Sequence, residues 1–113
     1  MFAPNGYNKR QRKIKERISL PRWNELEFEW DEEKAEINLK KHGISFDRAI
    51  LVFADENSIE YYDAGHSGHE DRYNIIGMVD QILFVVYTER RDAIRIISAR
   101  HATRQERRLY YDR

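Results

Sequence analysis

The run Ile82–Tyr87 constrains the fold most strongly, because it contains six apolar residues in succession. Side chains of a β-strand alternate between the two faces of a sheet, so Ile82, Phe84 and Val86 are expected on one face and the residues between them on the other. An antiparallel sheet with one face in water would alternate apolar and polar residues instead. Both faces of this strand must therefore be covered. The sequence offers few helices for this, which favours a partner protein on the second face.

Capping signals place helices before this strand and after it. Asp31 suits the N-cap of a first helix, and Gly43 suits its left-handed stop. Ser45 is the expected N-cap of a second helix. Thr103 begins a third, since it stands in capping-box spacing with Glu106.

Strand patterns occur before the first helix and between the second and third helices. Phe28–Trp30 reads as a short strand or an extended lead-in, and four longer strands follow the second helix. These four strands are Ser58–Tyr62, Arg72–Val79, Ile82–Thr88 and Ala93–Arg100. The predicted fold is an α+β domain with two N-terminal helices, a four-stranded, mostly antiparallel sheet and a C-terminal helix.

The formal net charge of zero hides three segments of unlike charge. Met1–Arg22 carries seven basic residues and one acidic residue, Trp23–Val86 carries five and fifteen, and Tyr87–Arg113 carries eight and four. The segment charges are therefore +6, −10 and +4. Local charge of this kind steers a polyanion to a surface even where the net charge vanishes.

Residues 1–22 read as a basic extension of a folded domain that spans residues 23–113. The extension has only the apolar pair Ile14 and Ile18 at helical spacing, so it has little to bury. We expect it to be disordered or weakly helical, or to act as a basic arm on nucleic acid.

Composition excludes several classes of protein and site. The chain has no cysteine, which rules out disulfides, a thiol nucleophile and thiolate zinc ligands. No apolar run approaches the roughly 18 residues of a membrane span, and the N-terminal residues contain no signal-peptide core. We expect a cytoplasmic protein without membrane association.

Two groups of motifs resemble those of BrnT-like toxins. The first group is Phe28-Glu29-Trp30-Asp31, Lys34, Asn38, Lys41-His42-Gly43, Phe46 and Ala49. The second is Glu70-x-Arg72-Tyr73, Ile76-Gly77, Thr88-Glu89-Arg90, Ile94–Arg100, Ala102, Glu106 and Tyr110. The resemblance spans residues 28–111 in the right order, and Ile94–Arg100 is its most specific part.

The resemblance implies a RelE-like fold and a ribonuclease toxin of a type II toxin–antitoxin system, which cuts cellular RNA and arrests growth. It also implies a BrnA-type antitoxin with a ribbon-helix-helix DNA-binding part. The chain would reach operator DNA only indirectly, through that antitoxin, because the complex represses its own operon. The basic extension departs from the compact family pattern, and is either an added RNA or partner contact or the product of an early translational start.

RNA cleavage without a metal or other cofactor needs three kinds of group around one phosphate. A base takes the 2′-OH proton, an acid protonates the leaving 5′-oxygen, and cations stabilise the phosphoryl oxygens. The residues for which we predict catalytic roles are His42, Glu70, Arg72, Arg95 and Arg100. The residues for which we predict further RNA contacts are Lys41, Tyr87, Arg90, Ser98 and Arg104.

Arg95 and Arg100 pose a geometric difficulty. Strand residues five apart face opposite sides of a sheet unless a bulge intervenes. Arg72 and Arg95 are therefore the preferred phosphate ligands, with Arg90 and Arg100 at the margins. Any of these arginines could instead simply pair with a nearby carboxylate.

The acid and base candidates have simpler alternative interpretations. His42 could favour the helix dipole at the end of the first helix, and Glu70 could serve only to orient Arg72. Tyr87 is included because its ring could stack on a base.

The loop after the first of the four strands offers a rival site. Asp63, His66, His69 and Glu70 include the ligand types of a divalent metal, but their spacing matches no defined metal geometry. No metal is therefore expected. Two other functions also fit the sequence: a non-enzymatic nucleic-acid-binding module, and a degenerate toxin that serves only as the partner and co-repressor of its antitoxin.

Overall fold

The computed structural model describes residues 25–112, so the predictions for residues 1–22 lie outside the described part of the chain. Its strands are β1 (Glu27–Glu29), β2 (Ile59–Tyr62), β3 (Arg72–Val79), β4 (Gln81–Arg90) and β5 (Ala93–His101). Its α-helices are α1 (Glu32–His42), α2 (Phe46–Ala49) and α3 (Arg104–Tyr111). Two 3-10 helices complete the fold, one continuing α2 over Ile50–Ala54 and one at Ala64–His66. None of the described helices is long and apolar enough to cross a bilayer.

Local capping interactions set the helix ends, as the sequence predicts. The Asp31 Oδ1 atom accepts hydrogen bonds from the backbone N–H groups of Glu33 and Lys34 at 2.9 and 3.1 Å. Gly43 ends α1 with a φ of 73°, a conformation that costs glycine little. Thr103 and Glu106 form a complete capping box at the start of α3.

The sheet has five strands in the order β1-β5-β4-β3-β2. The prediction of four strands is therefore one too few, and the sheet is mixed, because β1 pairs in parallel with β5 while the other pairs are antiparallel. This strand, β1, overlaps the short strand or extended lead-in expected at Phe28–Trp30, but three residues carry almost no periodic signal that would assign them to the sheet. Its partner lies more than sixty residues further along the chain, where Phe28 pairs with Ile94.

Both faces of β4 are covered by the chain itself. On the back face, α1 and α2 cover Leu83, Val85 and Tyr87, and the core there includes Phe46 and Val52. On the front face, α3 packs against the other side of β4, and Tyr110 joins a second core of buried residues. The members of that front core are Ile59, Ile76, Ile82, Phe84, Ala102 and Tyr110. One short C-terminal helix therefore covers most of the second face of β4, burying Ile82 and Phe84 without a partner protein, and leaves Val86 half-buried.

Close packing at Gly77 seats the 3-10 helix after α2 on the back of β3. A Cβ atom at Gly77 would lie 2.9 Å from the Cβ of Val52 and 3.1 Å from its carbonyl oxygen. Such contacts are closer than van der Waals packing allows, so only glycine fits this position without a shift of the helix.

Candidate functional site

A bulge in β5 brings Arg95 and Arg100 to the same face of the sheet. Val86 pairs with Ser98, but its neighbour Tyr87 pairs with Ile96, which leaves one extra residue in β5. An inserted residue reverses the alternation of side chains beyond it. Arg95 and Arg100, which are five residues apart, therefore face the same side of the sheet. The geometric difficulty in the sequence is thus resolved by the bulge.

Three arginines share the front face beside the part that α3 covers. Arg72 and Arg95 pair with Thr88 from its two sides, and Arg90 lies two residues further along β4. Since neighbouring strands lie about 4.8 Å apart, the backbones of Arg72 and Arg95 are separated by about 10 Å. We refer to Arg72, Arg90 and Arg95 as the arginine cluster. Arg72 and Arg95 thus lie on either side of β4, with one strand between them.

Each member of the arginine cluster has an acidic neighbour. The Glu29 Oε2 atom lies 3.1 Å from Arg95 Nη1 and 3.9 Å from Arg90 Nη1. Glu70 Oε2 lies 3.7 Å from Arg72 Nη2. The two carboxylates are 40% and 42% exposed, and ion pairs this open to water are weak. A phosphate can therefore compete with these carboxylates for the guanidinium groups.

Arg100 is engaged differently, by contacts that fasten α3 to the sheet. Its two terminal nitrogens lie 2.8 and 2.9 Å from the carboxylate oxygens of Glu106. Its guanidinium also lies 4.1 Å above the centre of the Phe84 ring, a favourable cation–π position. The hydrogen bond to Glu106 raises the pKa of Arg100. These contacts favour a structural role for Arg100 over the predicted catalytic one.

The pKa of Glu106 reflects two opposing effects. Burial raises the pKa of this carboxyl. The hydrogen bonds from Arg100 and Thr103 favour the ionised form, and together with the charge of Arg100 they lower the pKa by more than burial raises it. The net shift is downward, so Glu106 holds its negative charge at the junction of β5 and α3.

A row of four residues lies between the arginine cluster and the apolar patch under α3. Register places Tyr61, Asn74, Val86 and Ser98 side by side across β2, β3, β4 and β5. Ser98, a predicted RNA contact, is therefore on the same face as the arginine cluster. Tyr61 and Asn74 are front-face residues that the sequence reasoning missed. The signal was available in part, since Asn74 is a polar residue two positions after Arg72 in an otherwise apolar strand.

Tyr61 and Asn74, the two missed residues, are both removed from water to a large extent. Burial and the charge of Glu106 raise the pKa of Tyr61 to about 12, so its hydroxyl is protonated at neutral pH. Asn74 is 5% exposed, and its Oδ1 atom has no hydrogen-bond partner within the described residues.

Tyr87 lies in the back-face core and not at the arginine cluster. Its side chain is 1% exposed, and its hydroxyl donates a hydrogen bond to Glu60. The prediction that Tyr87 stacks on an RNA base does not fit this burial. Side chains alternate between the two faces along β4, so Tyr87 faces away from Thr88 and hence away from the arginines.

His42 and Lys41 are also apart from the arginine cluster. They end α1, which is held to the back of β5 by Asn38. The Asn38 amide donates to the carbonyl of Ala99 at 2.8 Å and accepts from the Ala99 N–H at 3.1 Å. A phosphate on the front face is therefore separated from His42 by the sheet. Arg104 is exposed at the start of α3.

The rival metal site does not assemble in the described part of the chain. His66 Nδ1 lies 3.1 Å from an Asp63 carboxylate oxygen. Among residues 25–112, however, no group of three or more potential ligands is close enough to hold a metal ion.

A comparison with protein-family models identifies the family of this chain. Residues 30–106 match the family model described as the ribonuclease toxin BrnT of type II toxin–antitoxin systems. The chain belongs to the BrnT family. The matched region contains the whole arginine cluster and both residues of the Arg100–Glu106 pair. As the family description states, such chains are ribonuclease toxins, and a type II system supplies a protein antitoxin as partner.

A structural comparison supports the BrnT fold. The crystal structure of the Brucella abortus ribonuclease toxin BrnT is similar to this chain with a TM-score of 0.56 and 23% sequence identity. The match covers 70% of this chain and 99% of the Brucella chain. None of the curated protein sequences compared with this chain matches it.

Proposed function

We propose that this BrnT-family chain is an endoribonuclease that cleaves RNA on its front face, with Arg72 and Arg95 holding the scissile phosphate. The observation that carries the proposal is the pairing of these two arginines with Thr88 from opposite sides. Two guanidinium groups can then neutralise the charge that develops on the phosphoryl oxygens, and each can contact two oxygens. Arg90, two residues along β4, extends the same positive surface.

We propose a metal-independent reaction in which the substrate supplies the nucleophile. The 2′-oxygen forms a bond to phosphorus while the bond from phosphorus to the 5′-oxygen breaks, and the leaving 5′-oxygen takes a proton from water, which yields a cyclic phosphate and a 5′-hydroxyl. Glu70, beside Arg72, is the base that removes the 2′-OH proton. The protonated Tyr61 hydroxyl, in the adjacent row, can donate a hydrogen bond to the substrate.

The proposed partner is a BrnA-type antitoxin with a ribbon-helix-helix part, which connects the toxin to operator DNA. We place its contact on the front face, because a segment that covered the arginine cluster would block RNA. An acidic antitoxin segment would complement these arginines, and Val86 between them and α3 is incompletely covered by this chain.

The test is RNA cleavage by the purified chain in EDTA. The double variant Arg72→Ala and Arg95→Ala should lose cleavage, whereas Lys40→Ala with Arg108→Ala, two exposed residues on α1 and α3, should retain it. Full cleavage by the first double variant would refute the site. Binding that weakens with salt but gives no product, for the unaltered chain, would point to the non-enzymatic alternative.

A further inference from the structure

An acidic groove lies on the back of the molecule, between α1 and α2, with a volume of about 500 Å³. Trp30 and Phe46 contribute an aromatic part of its wall, and Leu39, which is 47% exposed, adds an aliphatic part. The groove therefore exposes apolar surface to water, and exposed apolar surface of this kind marks an interaction site.

The polar part of the groove carries one sign of charge. Its acidic residues are Glu32, Glu33, Glu36 and Asp47, and none of its lining residues is basic. Within residues 25–112, none of these four carboxylates forms an ion pair. Four like charges around one concavity reinforce each other's potential, so the groove favours a cationic occupant.

The chain contains a segment with matching chemistry. Met1–Arg22 carries a charge of +6, and Ile14 and Ile18 stand among its basic residues. The carboxylates of the acidic groove complement the basic side chains of this segment, and its apolar wall complements the two isoleucines.

Connectivity favours this segment over a separate molecule. The family match begins at Trp30, which itself lines the groove, so the extension precedes the shared domain and is joined close to the groove. Only seven residues separate Arg22, where the extension ends, from Trp30 in the wall of the groove. A tether of this length keeps the segment at an effective concentration of about millimolar, which exceeds that of a free partner.

We propose that residues 1–22 bind the acidic groove of their own chain. The basic extension then lies behind the sheet, on the side opposite the arginine cluster, and does not add its charge to the front face. This inference is independent of the proposed ribonuclease mechanism, because it depends only on the back face.

The experiment uses the full chain with a nitroxide attached near the middle of the extension. Because the protein has no cysteine, Gln11→Cys creates a single attachment point and leaves all basic residues in place. Paramagnetic broadening of backbone amide signals should appear at Ala35, Leu39 and Phe46, and not at Thr88 or Ser98 on the front face. It should fade at about 1 M salt, where the Debye length is about 3 Å.

Matched variants test the charge complementarity. The triple variant Glu32→Gln, Glu36→Gln and Asp47→Asn should weaken docking at least about threefold, because three exposed charge pairs are lost. The control triple Glu56→Gln, Asp92→Asn and Asp112→Asn changes the net charge equally at exposed positions outside the groove and should leave the broadening unchanged.

Other patterns would overturn the proposal. Broadening on the front face, or none on the described domain, would exclude docking in the groove. Broadening that also appears in a mixture of isotope-labelled chain without nitroxide and unlabelled chain with nitroxide would show that the occupant is a second copy. An equal loss of broadening in the two triple variants would show that the groove carboxylates do not bind the extension specifically.

Discussion

Arg100 and Glu106 form a two-point ion pair, with guanidinium nitrogens 2.8 and 2.9 Å from the two carboxylate oxygens. The same carboxylate accepts the backbone N–H of Thr103 at 2.9 Å, so it also caps α3. One side chain therefore fixes both the start of the helix and its attachment to β5. This arrangement explains how a helix of only eight residues covers the front core.

Replacing Glu106 with alanine should destabilise the fold by about 2–3 kcal/mol, the combined effect of a lost charge-assisted pair and a lost helix cap. Glu106 is 16% exposed, so water replaces these contacts poorly. Urea unfolding followed by circular dichroism measures the difference. Gln105→Ala, an exposed change on the same helix, should stay within about 0.5 kcal/mol. Equal effects of the two changes would contradict the assigned role.

Stability should fall at alkaline pH in a way that depends on Tyr61. Burial and the Glu106 charge raise the pKa of Tyr61 from 10.0 to about 12 in the folded state. Below pH 10 the hydroxyl is protonated in both states; between these values the unfolded chain loses its proton first, so unfolding becomes more favourable as pH rises. Unfolding curves across that range should show a smaller decline for Tyr61→Phe. Tyr111→Phe, at a 64% exposed position, should keep the decline of the unaltered chain.

Gly77→Ala should destabilise the fold by about 1–3 kcal/mol, because the new methyl group would overlap Val52. Gly68→Ala is the matched control, since a Cβ at Gly68 meets nothing within 4 Å. Thermal unfolding of both variants gives the comparison. If Gly77→Ala were as stable as Gly68→Ala, the close contact between β3 and the 3-10 helix would not exist in solution.

Glu29→Gln should strengthen RNA binding by about two- to fivefold, because this carboxylate competes for Arg95 and Arg90 through exposed pairs. Fluorescence anisotropy with a short RNA at low salt measures the change. Glu56→Gln removes the same charge at an exposed position away from the arginine cluster and should have a smaller effect. Weaker binding by Glu29→Gln would mean that Glu29 positions the arginines for RNA.

The candidate site was predictable in its residue types and only partly in its geometry. Arg72, Arg90, Arg95 and Ser98 do share one face, but the sequence contains no signal for the bulge that makes this possible. Tyr87 shows the opposite outcome. Its aromatic ring suits base stacking in chemical terms, yet its position in the alternation of β4 places it in the core.

The sequence alone determined the helix ends, the double-sided burial of β4 and the family, because caps, apolar alternation and motifs depend on residues close together in the chain. Only the tertiary structure decided that β1 pairs with β5, that β5 gains an extra residue at its bulge and that His42 lies behind the sheet. These features depend on strand pairing and helix packing between distant segments. Local preferences of single residues do not specify such partners.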